Sequence, residues 1–508
     1  MNALRLSWPS LRDVLAGFSV ALVALPQAMA YAELAGLPAV HGLYAIVPAL
    51  LLAAPLLSAK ELQVGPVATT SLLTFGILSA TLEPRTDAWI AHAALLALLV
   101  GLIRMAIGLF GWGPLAYLLS RPVRIGFLNA AALLIVASQL PAALGVQARG
   151  LGLSDIASAV VRTRDWQPLT ITFAVVTIAV VVLARRLDPR IPGVLIAVVA
   201  SILTAQAVGY SGPTVGPVTS ALPAVNLALP WQAAPGLLVG ALVLALVGFG
   251  EAASIGRDFA AKARRPWRPG REFVSQGVAN VAAGLFSGFP IGASFSRSAL
   301  NRLLGATSRW SGFVTGLVLL ALLPLAGALE ALPLATLAGI ILAAAWSLVR
   351  PQELWQIAKA SRSQGVVAAG TFLLTLALSP RIDEAVLIGV ILAAGQHLRR
   401  ERNVRVDVTT VGTIITVRVE GVLWYGSQEQ LEERLPDLLA SHPDATDLII
   451  DLGGCGRVDW SAAAGIADAL EDAEQAGVRT RLARVPAHAT RWFGSVWARW
   501  DDRHHPAG

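Results

Sequence analysis

The sequence predicts an all-α polytopic membrane protein followed by a C-terminal cytosolic α/β domain. Three observations carry that expectation. The 508-residue chain is 55% hydrophobic and only 14% charged, whereas soluble domains carry roughly 25% charged residues. Apolar runs recur along residues 12–398, each long enough, or nearly so, to span a bilayer. After Arg405 that character ends, and short strand and helix patterns alternate.

The runs include FSVALVALPQAMAYA, ALLALLVGLIRMAIGLF, TFAVVTIAVVVLA, GLLVGALVLALVGFG and FVTGLVLLALLPLAGAL. At about 25–28 residues per span and loop they make about fourteen helices. Met1–Pro9 reads as a short polar leader without a cleavage pattern. The net charge of +7 reads as an orientation signal rather than a nucleic-acid footprint. Basic groups recur at Arg5 and Arg12, at Arg121 and Arg124, and at Arg185, Arg186 and Arg190. The largest cluster runs from Arg257 to Arg271, and further groups follow at Arg302 and Arg309, Arg350 to Arg362, and Arg399 to Arg405. With a cytoplasmic N terminus these groups fall on the cytoplasmic side. The stretch 149–165, where Asp155 and Asp165 offset Arg149, Arg162 and Arg164, is assigned outside.

The connection from Tyr210 to Trp231 carries no charge and is rich in Pro and Gly. It separates two halves of a transmembrane domain (1–400), about 10–208 and about 232–400. An odd number of spans per half inverts the second half relative to the first, a common transporter plan. Residues 401–508 form the soluble domain. There TIITVRV (413–419) reads as a strand, Tyr425–Gly426 as a turn and 427–442 as an amphipathic helix. DLIIDLGG (447–454) reads as a buried strand and VRTRLARV (478–485) as another. The helix between them, 459–477, opens with Asp459 and Ser461 as capping chemistry and closes at Gly477.

Several function classes drop out. The single Cys455 rules out an internal disulfide framework. No Cys/His cluster has metal-ligand spacing, and His504 and His505 lie in a polar tail. No phosphate loop and no nucleophile–base set are present, so neither a cofactor nor catalysis is expected.

Two interrupted segments point to function. GFPIGASFSRS (288–298) contains Pro290, small residues and Arg297, inside a stretch that otherwise reads as membrane; QVGPVATTS (63–71) is its counterpart in the first half. Paired broken segments in two halves point to a transporter's binding site. A helix that starts mid-membrane presents unpaired N–H groups and about half a positive charge. Two such helices meeting from opposite sides make an anion site. Pro66 and Pro290 suit helix starts, and Thr69, Thr70, Ser294 and Ser296 add hydroxyl donors. Arg297 adds a full charge with bidentate geometry for oxoanions or carboxylates. In the bland alternative Arg297 snorkels to an interface and the Gly and Pro residues only kink packed helices.

The chain resembles the SulP anion transporters, called solute carrier family 26 in animals. DVLAGFSVALVALPQAMAYAELAGLPAVHGLY (13–44) is similar to that family's first-helix signature, and VGPVATTSLL (64–73) to its third helix. GFLNAAALLIVASQLPAALG (126–145), VGFGEAASIGRDFA (247–260) and GVANVAAGLFSGFPIGASFSRSALN (277–301) resemble its fifth and its eighth through tenth. The C-terminal domain resembles the family's STAS (sulfate transporter and anti-sigma factor antagonist) domain. Two departures stand out: Gly36-Leu37-Pro38-Ala39 where the family has Gly-Leu-Pro-Pro, and Asp459-Trp460-Ser461 where its STAS turn has Asp-Ser-Ser or Asp-Ser-Thr.

The resemblance implies two inverted seven-helix repeats arranged as core and gate domains, and a homodimer in a bacterial inner (plasma) membrane. It implies a small anion as substrate, such as sulfate, bicarbonate or a dicarboxylate like fumarate, with membrane lipid around it and no nucleic-acid partner. It also places Glu251 beside the substrate, and turns the shared face of Gln27 and Tyr31, one helical turn apart, toward the anion. The expected substrate contacts are therefore Gln27, Tyr31, Val67, Ala68, Thr69, Ser294, Phe295, Ser296 and Arg297. A charged carboxylate is costly in the membrane, so Glu251 suits proton coupling. An ordinary pairing with Arg257 and a salt bridge to Arg297 are its alternatives. Glu33 is the second coupling candidate. Gln27 has interhelical hydrogen bonding as its alternative, Tyr31 an interfacial anchor and Phe295 plain packing.

The leading expectation is a secondary active anion carrier working by alternating access, coupled to protons or to sodium. Nucleobase–proton symport on the same fold, a passive anion channel and a STAS-based membrane signalling protein are the alternatives. For the last, Ser461 is the phosphate acceptor.

Overall fold

The computed structural model describes residues 9–117, 119–146, 153–218, 221–402 and 404–496. The expectations for Arg5, Arg149, His504 and His505 lie outside them. The chain divides between Ile391 and Leu392 into two compact units.

The helices of the first unit, in order, are α1 (Leu11–Leu34), α2 (His41–Ala53), α3 (Ala68–Leu78), α4 (Asp87–Leu109), α5 (Arg121–Leu144), α6 (Leu153–Val161), α7 (Pro168–Leu187) and α8 (Gly193–Ala207). Then come α9 (Ala234–Lys262), α10 (Pro269–Leu285), α11 (Phe295–Leu303), α12 (Trp310–Leu322), α13 (Leu334–Ala345), α14 (Pro351–Ala360), α15 (Arg362–Ala377) and α16 (Ile382–Arg402), which runs on past the division. Two-residue strands β1 (Val64–Gly65) and β2 (Gly292–Ala293) precede α3 and α11.

Apolar runs become helices here because a lipid environment offers no partner for backbone N–H and C=O groups. Large apolar side chains such as Val175, Val176 and Leu183 on α7 stay exposed, as a lipid-facing surface allows. Inside, small residues bring backbones together. A Cβ on Gly101 of α4 would lie 2.6 Å from Val281 N of α10, and one on Gly284 would lie 2.6 Å from Ala94 O.

Among the described residues, six helical stretches are long and apolar enough to cross a membrane alone. The expected figure of about fourteen spans is therefore not a count of long, unbroken helices. At ~1.5 Å per residue, α3 and α11 reach only about half of the hydrocarbon core, with 11 and 9 residues. The stretch 149–165, expected as a plain loop, carries helix α6.

The order helix, helix, short strand, half-helix occurs twice: α1, α2, β1, α3 and α9, α10, β2, α11. β1 and β2 pair antiparallel, Val64 with Ala293 and Gly65 with Gly292. Each strand feeds a half-helix, so the two chain segments enter the site in opposite directions, as an inverted repeat requires. Helices α1, α2, α4, α9, α10 and α12 pack on one another, whereas α5, α7, α8, α13 and α15 form a second set of neighbours. The buried Asp13 carboxylate closes the start of α1 against the α11–α12 turn, accepting from Thr307 N at 2.7 Å and Ser308 N at 2.9 Å.

In the second unit a four-stranded sheet runs β3 (Arg405–Val411), β4 (Ile414–Leu423), β5 (Asp447–Val458), β6 (Arg479–Ala483). β3 and β4 form a hairpin through Gly412, at φ +62°; the other pairs are parallel. Parallel pairs need crossovers, and α17 (Tyr425–Ser441) and α18 (Trp460–Gln475) supply them before α19 (Ala487–Val496). The expected turn at Tyr425–Gly426 is instead the first turn of α17. Asp459 alone caps α18, accepting from Ala462 N at 2.9 Å, which leaves Ser461 as an ordinary first-turn residue. Burial pushes the Cys455 thiol up to about 12, so it stays protonated and inert. Arg484 beside Asp451 holds that carboxyl below its usual range.

Candidate functional site

Strand pairing brings the two broken segments into one structure. Ser294 N donates to Gln63 O at 2.9 Å and Gln63 N to Ser298 Oγ at 2.9 Å, continuing the two-residue ladder beyond its Val64–Ala293 end. The half-helices α3 and α11 start from this ladder. Pro66 lies two residues before α3, whose N-cap is Val67, and Pro290 lies five residues before α11. Neither proline opens its helix as expected; each sits in the extended entry instead.

No side chain caps α3, because Val67 has no polar atom to offer. The leading N–H groups of Ala68 and Thr69 thus have no intrahelical partner. Ser294 does cap α11, its Oγ accepting from Arg297 N at 3.3 Å and lying 3.3 Å from Ser296 Oγ. Two of the expected hydroxyl donors are committed: Thr70 donates to Val67 O at 3.2 Å and Thr69 to Glu251 Oε1 at 3.0 Å.

Arg297 is 1% exposed, so it does not snorkel. Its Nη2 donates to Pro66 O at 2.9 Å, and its Nη1 reaches Gln27 Oε1 at a long 3.5 Å. Its Nε is buried without a partner among the described residues. A guanidinium has five donors, so most of this one remains open. Gln27, held through its oxygen, keeps its amide nitrogen free of hydrogen bonds among the described residues. Tyr31 lies one turn further along α1 and is buried. Its interfacial-anchor alternative fails on that burial.

Glu251 rests against the first turn of α3 through Thr69. Among the described residues it pairs with neither Arg297 nor Arg257; Arg257 Nε donates to Ala253 O at 3.2 Å. Val67 and Ala68 are buried, and Phe295, at the start of α11, is 58% exposed. Glu33 stands apart at the end of α1, ion-paired with Arg85, and none of its hydrogen bonds reaches the cradle.

Sequence reasoning missed two parts. The first is the backbone of Gly65, at φ +152°, where a Cβ would meet Ile46 Cδ1 at 2.7 Å and Arg297 Nη2 at 3.1 Å. Gly65→Ala should therefore cut uptake by about tenfold or more and lower the melting temperature, since strained backbone of this kind costs of order 1–3 kcal/mol. Wild-type uptake and melting in that variant would contradict the packing described. The second is Arg104 on α4, fully buried, with its three nitrogens donating to Ala245, Leu244 and Ile291 carbonyls. The only sequence signal for it was one charge inside an apolar run.

The sulfate permease family model matches residues 11–371 and the STAS domain model residues 405–493. The chain belongs to the sulfate permease family. It is therefore an integral, multi-pass membrane protein of a transporter family rather than an enzyme. It is 34% identical over 399 residues to a probable sulfate transporter of Mycobacterium tuberculosis (strain CDC 1551 / Oshkosh), covering 76% of this chain and 70% of that one. It is 30% identical over 416 residues to human solute carrier family 26 member 6, covering 75% of this chain and 54% of that protein. The fold is similar to that of the murine Slc26a9 anion transporter, with a TM-score of 0.86, 22% identity, and coverage of 97% and 88%.

Proposed function

We propose that this sulfate permease family member is a proton-coupled secondary transporter of small dianions, sulfate first and dicarboxylates such as fumarate second. One observation carries the reading: a fully buried Arg297 with open donors lies where two oppositely entering half-helices begin, with a carboxyl group against the first turn of one of them. The anion is held by Arg297, by the leading N–H groups of α3 and α11, and by the Gln27 amide. Tyr31, Val67, Ala68, Ser294, Phe295 and Ser296 line its surroundings.

The Glu251 carboxylate and the anion compete for the positive end of α3. Protonation of Glu251 removes that competition, so proton and anion bind together; this linkage is symport. Glu33, engaged with Arg85, takes the lesser part, and sodium is the alternative coupling ion. In the transport cycle the α1–α4 and α9–α12 helices carry the site as a core past a gate built on α5, α7, α8, α13 and α15. The N terminus and the STAS domain face the cytoplasm and the protein is a homodimer, as the distribution of basic residues and the family resemblance respectively suggest.

The test is uptake of labelled sulfate, fumarate, bicarbonate and uracil into proteoliposomes, with and without an inward proton or sodium gradient. The reading predicts gradient-driven accumulation of sulfate or fumarate. Accumulation of uracil alone, or anion flux that never exceeds equilibrium, would replace it with nucleobase symport or with a channel.

A further inference from the structure

Arg104 is as deeply buried as Arg297, yet its environment differs. It donates from Nε to Ala245 O at 3.1 Å, from Nη2 to Leu244 O at 3.0 Å and from Nη1 to Ile291 O at 3.0 Å. All three acceptors are neutral carbonyls. Among the described residues no carboxylate pairs with it, so its full positive charge stands unneutralised inside the membrane unit. Burying an unpaired charge is expensive. A neutral donor makes a structural tether more cheaply, so the charge itself calls for a purpose.

Its position supplies one. Ile291 immediately precedes β2, and Leu244 and Ala245 lie within two turns of Glu251 on α9. Gly248 fills the space between: a Cβ there would lie 2.5 Å from Arg104 Nη2 and 3.0 Å from Thr70 Cγ2 in the first turn of α3. Only a glycine therefore separates the Arg104 guanidinium from the start of α3. The Ile291 backbone is also held without Arg104, donating to Asn280 Oδ1 at 2.9 Å and accepting from Asn280 Nδ2 at 3.1 Å. At Ile291, therefore, a neutral side chain already supplies the tether.

We propose that Arg104 is the second cation of the anion site, a positioning residue that never touches the anion but fixes an unneutralised positive charge behind the cradle and thereby favours dianions over monoanions. The proposal rests on the anion-transport reading above. Because the field acts on the ligand's charge, a dianion gains about twice what a monoanion gains from the same source.

Dissociation constants for sulfate and for chloride, measured on the full purified chain, test it alongside thermal melting. Arg104→Gln should weaken sulfate at least about tenfold and chloride by only about threefold, in the ratio that ligand charge dictates. Arg104→Lys should hold sulfate within about threefold of wild type, since it restores charge without the fork. Should the Gln variant fail to fold, the Lys variant decides alone: retained sulfate affinity supports the proposal and lost affinity overturns it. Equal weakening of both anions in the Gln variant, or none, reduces Arg104 to a structural tether. A wild-type chain that binds neither anion overturns the anion reading itself, and this proposal with it.

Discussion

Arg297→Ala should abolish saturable anion uptake while leaving a folded protein. Arg297 is fully buried at the start of α11, its Nη2 donates to Pro66 O just ahead of α3, and its Nε is without a partner among the described residues. Removing one partner of a buried, hydrogen-bonded charge pair costs about 2–5 kcal/mol, or roughly 30-fold to a few thousand-fold in affinity. The folded state gains from losing a desolvated charge, and one contact to Pro66 O is the main structural loss. Melting should thus change little while uptake vanishes. Arg297→Lys should fall between, because a point charge cannot reproduce the fork. Uptake at wild-type levels in the alanine variant would take Arg297 out of the site.

Glu251→Gln should separate binding from coupling. In the native chain the ionised carboxylate accepts from Thr69 at the start of α3, where the incoming anion also gains most. The sign follows: acidification neutralises the carboxylate, so anion binding tightens and uptake rises as pH falls. For one coupled proton the steepest response is about tenfold per pH unit. The glutamine is permanently neutral, so its uptake should be flat with pH. It should also lose concentrative uptake driven by a proton gradient while keeping anion exchange. A Gln variant that retains the wild-type pH profile with intact transport would place the coupling group elsewhere.

Much of the site was legible in the sequence because its chemistry is expensive. A guanidinium, a carboxylate and two Gly/Pro breaks are conspicuous in a membrane sequence. What stayed hidden involved short or averaged signals. A two-residue strand has no periodicity, so the β1–β2 pairing that joins Gly65 to Gly292 left no trace. Arg104 sits in an uninterrupted apolar run, where the surrounding Leu and Ile residues mask one charge. Its carbonyl acceptors are backbone atoms, which sequence does not display. The prolines marked the breaks correctly but not the helix starts, since both stand in extended entries ahead of the caps. Thr69 and Thr70 looked equivalent as donors, yet one faces Glu251 and the other turns back on Val67. Glu33 found Arg85, a partner on a distant loop that local sequence could not name.

The C-terminal domain shows the same pattern. Its buried strands β4 and β5 were read from their β-branched runs. The edge strand β3 was missed because Arg405–Val411 is mostly exposed, its apolar alternation is limited to Val406 and Val408, and it directly follows the basic end of α16. Sequence identified capping chemistry at Asp459 and Ser461, and geometry assigned it to Asp459 alone.

The proposed anion site combines two opposed half-helices with Arg297 and is governed by Glu251. Calorimetric titration of the full-length protein with sulfate and fumarate, at about pH 6 and about pH 8, tests it most directly. Wild type should bind at least one dianion saturably and more tightly at the lower pH, Arg297→Ala should show no detectable binding, and Glu251→Gln should bind independently of pH. Equal anion affinity in wild type and Arg297→Ala would contradict the proposed site.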